Sequence, residues 1–533
     1  MCRIFVHHRP AMTSLDLPAL IALRNVIDEA IEVALVEHHS LPDLMGKVLP
    51  EVRARLGATA IVFETYGEAL SLQVFASPEG AVLPSHDEVF LRTSEDRRES
   101  FVLDTDEGFV VAQPIDVAGA WFGRVAMLVP TTAPRVQSRE GLTVLAEVLD
   151  NHLFAIRAAR EKHRVMMRVG NALRHRVLGE GLANAVEILG EVVPLDRMVL
   201  VYTAEQGAEK STLQVRLFEG TRPVVDTLQA MGADSTELRA LGHSFLMGES
   251  HELLERFGIR GAQEEVLING ITNSVLVGKV VATSKHGSFN TYDRDLIASF
   301  AGFIRQRVVD FNKEWRALAN SFRPEDVARL LQSDDYTQAY LSPREAEVAV
   351  LYVDISGFTR ISEQVLRTPA KVAMFVEKWS ERAVDLVWKH GGVFDKMVGD
   401  CIIALFGPPF YDAPPEERLA AAIRCARDIR AMTNAMPDEE AFANLRDANV
   451  GVATGVNLAP LFVGQFGPNA NFTGFSSGMN NTARLQGCAT RDQILVMEEA
   501  ARRLLPGEFT FGPQGSMAVK NVAEPLRFLA LED

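Results

Sequence analysis

Two aspartates in the last third of the chain are placed to do chemistry. In VAVLYVDISGFT (348–359) an apolar, β-branched run ends on Asp354, and in HGGVFDKMVGDCIIALFG (390–407) a Val-Gly-Asp turn between two short strand patterns presents Asp400. An acid at the end of one strand and a second at the tip of a neighbouring hairpin can meet at one point, where their like charges repel unless divalent cations lie between them. Hard oxygen donors suit Mg2+ or Mn2+, and two such ions about 3.5–4 Å apart suit in-line phosphoryl displacement. The Gly357–Phe358 turn, opening into a helix, would offer backbone N–H groups to phosphate oxygens. A lone Asp at a strand end is more often a helix cap than a ligand.

The elements that must hold these acids follow from the pattern around them. The run before Asp354 predicts a buried strand, the segment from about Pro369 to His390 an amphipathic helix, and the Gly399–Asp400 pair a tight turn joining two strands. Farther on, Asn480 and Arg484 stand four apart in MNNTARL, so a helix there projects both from one face.

Length and composition bound the rest. The 533 residues predict about three or four domains. With 47% hydrophobic and 23% charged residues, the chain has the mix of a globular protein with room for buried cores. Seventy acidic against 54 basic residues give a net charge of -16, which argues against general binding to nucleic acid or anionic lipid. Four scattered cysteines lack the spacing of a zinc site or a disulfide framework, and no run is apolar enough to span a membrane. A cytoplasmic location is the expectation, with residues 1–15 a flexible tail.

Upstream, two stretches repeat one order of elements. LPDLMGKVLPEVRARLG, ATAIVFETY, GFVVAQPIDV and WFGRVAMLVP lead into a helix from about Arg139 to Val169. LANAVEILGEVVP, RMVLVYTA, TLQVRLFEG, EEVLINGIT and NSVLVGKVVATS then lead into a helix beginning near Tyr292. This predicts an α+β chain with two sensor-like domains, 16–158 and 159–310. From Leu296, the residues Phe300, Ile304, Val308, Phe311, Trp315 and Leu318 recur at spacings of three and four, the seam of a coiled-coil-like helix that pairs with a copy of itself, or of a helix packing on its own domain. Pro324 breaks that helix and restarts it with Glu325 and Asp326 in the first turn, giving a helical linker over 311–342.

Residues 343–533 carry six ordered motifs: DISGFT, HGGVFDKMVGD, ALFGPP, VGVATGVNLAPLFVGQFG, NFTGFSSGMNNTARL and VKNVAEPLRFLAL. This region resembles the class III nucleotidyl cyclase catalytic domain. The resemblance implies a βαββαβ core of the ferredoxin/palm type and a head-to-tail homodimer with shared active sites. It implies metal ligation by Asp354, Asp400 and the Ile355 carbonyl, with two Mg2+ (or Mn2+) per site. Lys396 and Thr473 would read the base, with Phe358 at the phosphate turn and Lys520 on the terminal phosphates. Asn480 would orient the ribose and Arg484 would stabilise charge on the transferring phosphoryl. Lysine plus threonine reads adenine, so the expected activity is an adenylate cyclase that converts ATP to 3′,5′-cyclic AMP and pyrophosphate. A guanylate cyclase, a catalytically weak nucleotide-binding regulator, and a sensor acting through its N-terminal domains alone are the alternatives. Where the family has Gly-Asp ahead of the Asn, this chain reads Ser476-Ser477-Gly478.

The segment GSFNTYDRDLIASFAGFI resembles the closing motif of a GAF domain, with Phe289 in the loop and Asp293 capping the last helix. That implies tandem GAF-like domains that take a small-molecule or protein effector. Ser284-Lys285 and Asp293-Arg294 depart from the Asn-Lys and Asp-Glu of cyclic-nucleotide-binding members.

Overall fold

Alternating apolar residues build three sheets, and the helices between them supply the faces that bury those sheets. The computed structural model describes residues 17–66, 72–117, 119–205, 212–228, 235–260, 263–269, 276–467, 470–518 and 525–532. Lys520 and the tail 1–15 lie outside them. The chain divides after Arg164 into two compact units.

The first unit opens with α1 (Leu17–Val36) and α2 (Leu41–Leu56), the latter started by a Ser40–Asp43 capping box. Then follow β1 (Ala60–Tyr66), β2 (Leu72–Ser77), α3 (His86–Arg92), β3 (Phe101–Thr105), β4 (Gly108–Val117), β5 (Ala120–Val129) and α4 (Arg135–Ala172), whose end passes into the second unit. The sheet order is β2-β1-β5-β4-β3, antiparallel throughout. Period-two alternation sends Ile61, Phe63, Val125 and Met127 to one core with α2 and Leu142, Leu145 and Leu149 of α4. Ala60, Val62, Ala126 and Leu128 face the other core, under Leu83 and Val89.

The second unit begins with a similar sheet. After α5 (Leu178–Gly190) come β6 (Leu195–Ala204), β7 (Thr212–Glu219), β8 (Arg222–Asp226), α6 (Ser235–Leu246), α7 (Glu252–Arg256), β9 (Glu264–Asn269), β10 (Leu276–Ser284) and α8 (Thr291–Ala319), in strand order β8-β7-β6-β10-β9. The two sheets share four strands in one order and attach their fifth to opposite edges, which is why the repeat was visible in element order. Asn290, not Asp293, caps α8: its side chain accepts from the Asp293 amide at 2.8 Å, and Asp293 is buried one turn in. The apolar seam of α8 also differs from a self-pairing one. Phe300 and Ile304 are fully buried, and Val308, Phe311, Trp315 and Leu318 nearly so, in a core made by this chain alone with α5, β6 and β10. Packing on its own unit occupies the stripe.

After α9 (Pro324–Leu330) comes the third sheet: β11 (Arg344–Ile355), α10 (Phe358–Arg360), α11 (Pro369–Lys389), β12 (Val393–Val398), β13 (Cys401–Phe406), α12 (Pro415–Ala435), β14 (Val452–Phe466), β15 (Asn471–Phe475), α13 (Ser477–Gln486), β16 (Ile494–Met497), α14 (Glu498–Ala501), β17 (Thr510–Met517) and β18 (Leu526–Glu532). Its order is β12-β13-β11-β14-β16-β18-β17, with β15 on β14. The first four strands with α11 and α12 make a βαββαβ core. Ala349, Leu351, Val353 and Ile355 face α11 and α12, where Phe375, Trp379, Ala383 and Val387 recur every four residues. Val348 and Val350 face the other way, into the core that Phe322, Val327, Leu330 and Leu331 cover from α9 and its approach.

Candidate active site

The two aspartates meet because their strands share a neighbour. Asp354 of β11 is in register with Cys401 of β13, and Cys401 pairs on its other side with Val398 of β12. The hairpin closes through Gly399 and Asp400 alone, and Gly399 takes φ 65°, which glycine adopts without steric cost. Burial, then the charge of Asp400, raises the Asp354 pKa to about 6. Burial also raises Asp400, while its own backbone N–H, Asp354 and the Ile355 N–H draw it back. The Cys401 thiol between them is pushed up to about 12 by burial and then by both carboxylates.

Two half-buried acids, each raised first by burial, have the donor chemistry of a hard divalent cation site. Among the described residues no cluster of three or more His, Cys, Asp or Glu side chains is set to ligate a metal.

Lys396 and Thr473 meet from strands distant in sequence. Lys396 Nζ on β12 donates to Thr473 Oγ1 on β15 at 3.3 Å. β12 bulges at Asp395: Phe394 pairs with Ala404 and Lys396 with Ile403. The extra residue lets consecutive side chains share one face, and Asp395 Oδ2 lies 3.6 Å from Lys396 Nζ.

Helix α13 docks on that face. Ser476 caps it, its hydroxyl accepting from the Gly478 amide at 2.9 Å, so the Ser-Ser-Gly departure still starts a helix. Gly478 lies so close to β14 that a Cβ there would sit 2.4 Å from the Ala459 methyl, and a Cβ on Gly455 would sit 2.7 Å from the Gln486 amide. Asn480 is exposed one turn before Arg484, whose guanidinium reaches Asn481 Oδ1 at 3.3 Å. Gly455 and Ile403 both oppose Tyr352 in the register, so Asp354, Lys396 and α13 share one face of the sheet and leave the other to α11 and α12.

The turn at Gly357 opens into three α-helical residues that continue as a π-type helical stretch over Ile361–Leu366. Phe358 packs, half-buried, against the helix-side core. One residue at the site carried no sequence signal: Gln486 draws the Asp354 pKa back down and donates to the Ala453 carbonyl at 3.5 Å, opposite Asp354. Its partners lie on strands far away in sequence, and no side-chain motif marks it.

Residues 341–530 match the family model described as the adenylate and guanylate cyclase catalytic domain. The uncharacterized protein Rv1318c of Mycobacterium tuberculosis is 33% identical over 147 residues, 27% of this chain and 24% of that protein. Rv1319c of the same organism is 30% identical over 203 residues, 36% of this chain and 35% of that protein. The chain thus spans 24% and 35% of the length of these curated relatives. Among solved structures, the adenylyl cyclase CyaB from P. aeruginosa aligns with a TM-score of 0.33 and 22% identity, over 36% of this chain and 97% of that one. The guanylyl cyclase Cya2 aligns with a TM-score of 0.32 and 19% identity, over 36% of this chain and 94% of that one. The stretch that holds Asp354, Asp400, Lys396, Thr473 and α13 is therefore the stretch that matches the adenylate and guanylate cyclase catalytic domain.

Proposed function

We propose that this chain is an adenylate cyclase that forms 3′,5′-cyclic AMP and pyrophosphate from ATP. The observation that carries the choice of base is the 3.3 Å contact between Lys396 Nζ and Thr473 Oγ1. A lysine donor suits adenine N1, and a hydroxyl oxygen can accept from the exocyclic amine. Guanine presents a donor at N1 and an acceptor at O6, which would leave the buried Thr473 hydroxyl mispaired at a cost of about 1–3 kcal/mol.

Asp354, Asp400 and the Ile355 carbonyl would hold Mg2+ or Mn2+, which when bound neutralises triphosphate charge and lowers the pKa of the ribose 3′-hydroxyl. The side chains do the positioning. Asn480 orients the ribose so that its 3′-oxygen faces the α-phosphorus, and Arg484 stabilises negative charge that builds on the phosphoryl as pyrophosphate leaves. Lys520 would grip the terminal phosphates.

The site is proposed to be shared between two copies of the chain. The exposed, register-paired Phe462 and Phe475, with Phe466 against Phe475 at 5.0 Å, form an aromatic patch on the β14–β15 arm that a second copy would cover. The N-terminal sheets are proposed to be GAF-like sensors acting through α8 and α9. A groove of about 660 Å3, lined by Arg174, His175, Arg176, Asp334, Asp335 and Thr337, lies where the second of them meets the linker.

Purified chain incubated with ATP or GTP and Mn2+ tests the reading. Cyclic AMP as the main product supports it, cyclic GMP as the main product points to a guanylate cyclase, and no cyclic product leaves a regulator.

A further inference from the structure

We infer that Asp395 sets base selectivity by fixing the direction of the Thr473 hydroxyl, a positioning role that rests on the adenine reading above. A threonine hydroxyl has one proton to give and two lone pairs to offer, and left free it pairs with an amine or an oxo group alike. Here it is not free. Lys396 Nζ, at 3.3 Å, takes one lone pair. Beside that ammonium, 3.6 Å away, lies the Asp395 carboxylate, 1% exposed in its side chain. Its Oδ2 is buried without a hydrogen-bond donor.

A buried carboxylate oxygen without a donor is costly, and the rotatable donor at this corner is the Thr473 hydroxyl. Burial raises the Asp395 pKa, and of the groups that draw it back Thr473 is the largest, ahead of Lys396. With the proton turned to Asp395, Thr473 offers the base only its second lone pair. Adenine's exocyclic amine satisfies that lone pair, whereas a 6-oxo base sets lone pair against lone pair. Asp395 thus touches no part of the base; it removes the orientation in which Thr473 would accept an oxo group. Asp395 also acts through its charge on the Tyr352 phenol, whose pKa is raised first by burial and then by Asp395.

The test compares ATP with inosine triphosphate, which carries oxygen at position 6, and with purine riboside triphosphate, which carries nothing there. In Asp395→Asn the ratio of kcat/KM for inosine triphosphate to that for ATP should rise about ten-fold, the size of one buried hydrogen bond, mainly through KM. The ratio for purine riboside triphosphate should stay within about two-fold, because position 6 is empty. Asp395→Glu and Asp395→Gln, equal in size and differing in charge, keep the inference testable if the Asn variant does not fold: Glu should stay nearer the wild-type ratio than Gln. In a Thr473→Val background, Asp395→Asn should change the ratio no further. An unchanged ratio in folded variants, or an effect that persists without the Thr473 hydroxyl, overturns the role of Asp395 while the ATP preference stands. A wild-type chain that prefers GTP overturns both.

Discussion

The carbonyl of Ser321, in the short link between α8 and α9, accepts a hydrogen bond from the backbone amide of Phe394 at 3.0 Å and a second from Trp388 Nε1 at 3.2 Å. Phe394 stands two residues before Lys396. The next residue of the link, Phe322, is 2% exposed and meets Phe472, the neighbour of Thr473, with ring centroids 5.1 Å apart. The helix that leaves the second sheet is thus tied to both strands that carry the proposed base-reading pair. A displacement of α8 therefore has a path to Lys396 and Thr473.

Phe322→Ala should break that tie. Removing a buried ring costs about 3–5 kcal/mol. That loss corresponds to a fall of roughly 10 °C in the melting midpoint. If the tie positions the base pocket, the KM for ATP should rise in the folded variant below its midpoint, with the Mn2+ dependence unchanged. Calorimetry and steady-state kinetics on one preparation measure both.

Asp354→Asn and Asp400→Asn should each reduce turnover by about a thousand-fold, as expected for the loss of several kcal/mol of charge stabilisation. Neither should destabilise the metal-free chain, because each removes one of two crowded like charges. Urea unfolding in EDTA should place both midpoints at or above that of the wild type.

The raised pKa of Asp354 has a signed consequence for stability. Its folded value is about 6, above that of an unfolded aspartate, so in that window the folded state binds the extra proton. This group therefore adds stability at low pH and loses the contribution as pH rises through about 6. The advantage of Asp354→Asn over metal-free wild type should be largest near neutrality and should shrink as pH falls toward about 5, read from paired urea midpoints.

Gly478→Ala places a methyl 2.4 Å from the Ala459 methyl and should push α13 off β14. Turnover should fall about 10- to 100-fold, because Asn480 and Arg484 move with the helix. Ser476→Ala, which loses only the cap, should cost about 1 kcal/mol of stability and little activity.

Much of this architecture was legible from pattern. The alternation before Asp354, the Gly399–Asp400 turn and the four-residue rhythm of α11 are local signals, and the strands and helix they predict are present. Spacing alone put Asn480 and Arg484 on one helix face, whereas their proposed roles came from the family resemblance. What stayed hidden depends on contacts across the fold. The α8 stripe reads identically whether it faces a second copy or its own sheet. The capping role fell to Asn290 because either Asn290 or Asp293 could begin the helix by local chemistry. Asp395 lies inside the HGGVFDKMVGD motif without a role read for it and Gln486 just past the last residue of another, and only the β12 bulge and the close packing of α13 on Gly455 bring them to the proposed pocket.

The central claim is cyclisation of ATP at a site completed by two chains, and mixing two inactive variants tests it most directly. Asp400→Ala and Arg484→Ala chains, each inert alone, should regain cyclic AMP formation when combined as heterodimers, to about a quarter or more of the wild-type rate if one of two shared sites is rebuilt. Verified heterodimers that stay inactive, or a lone Asp400→Ala chain that turns over ATP normally, would contradict it.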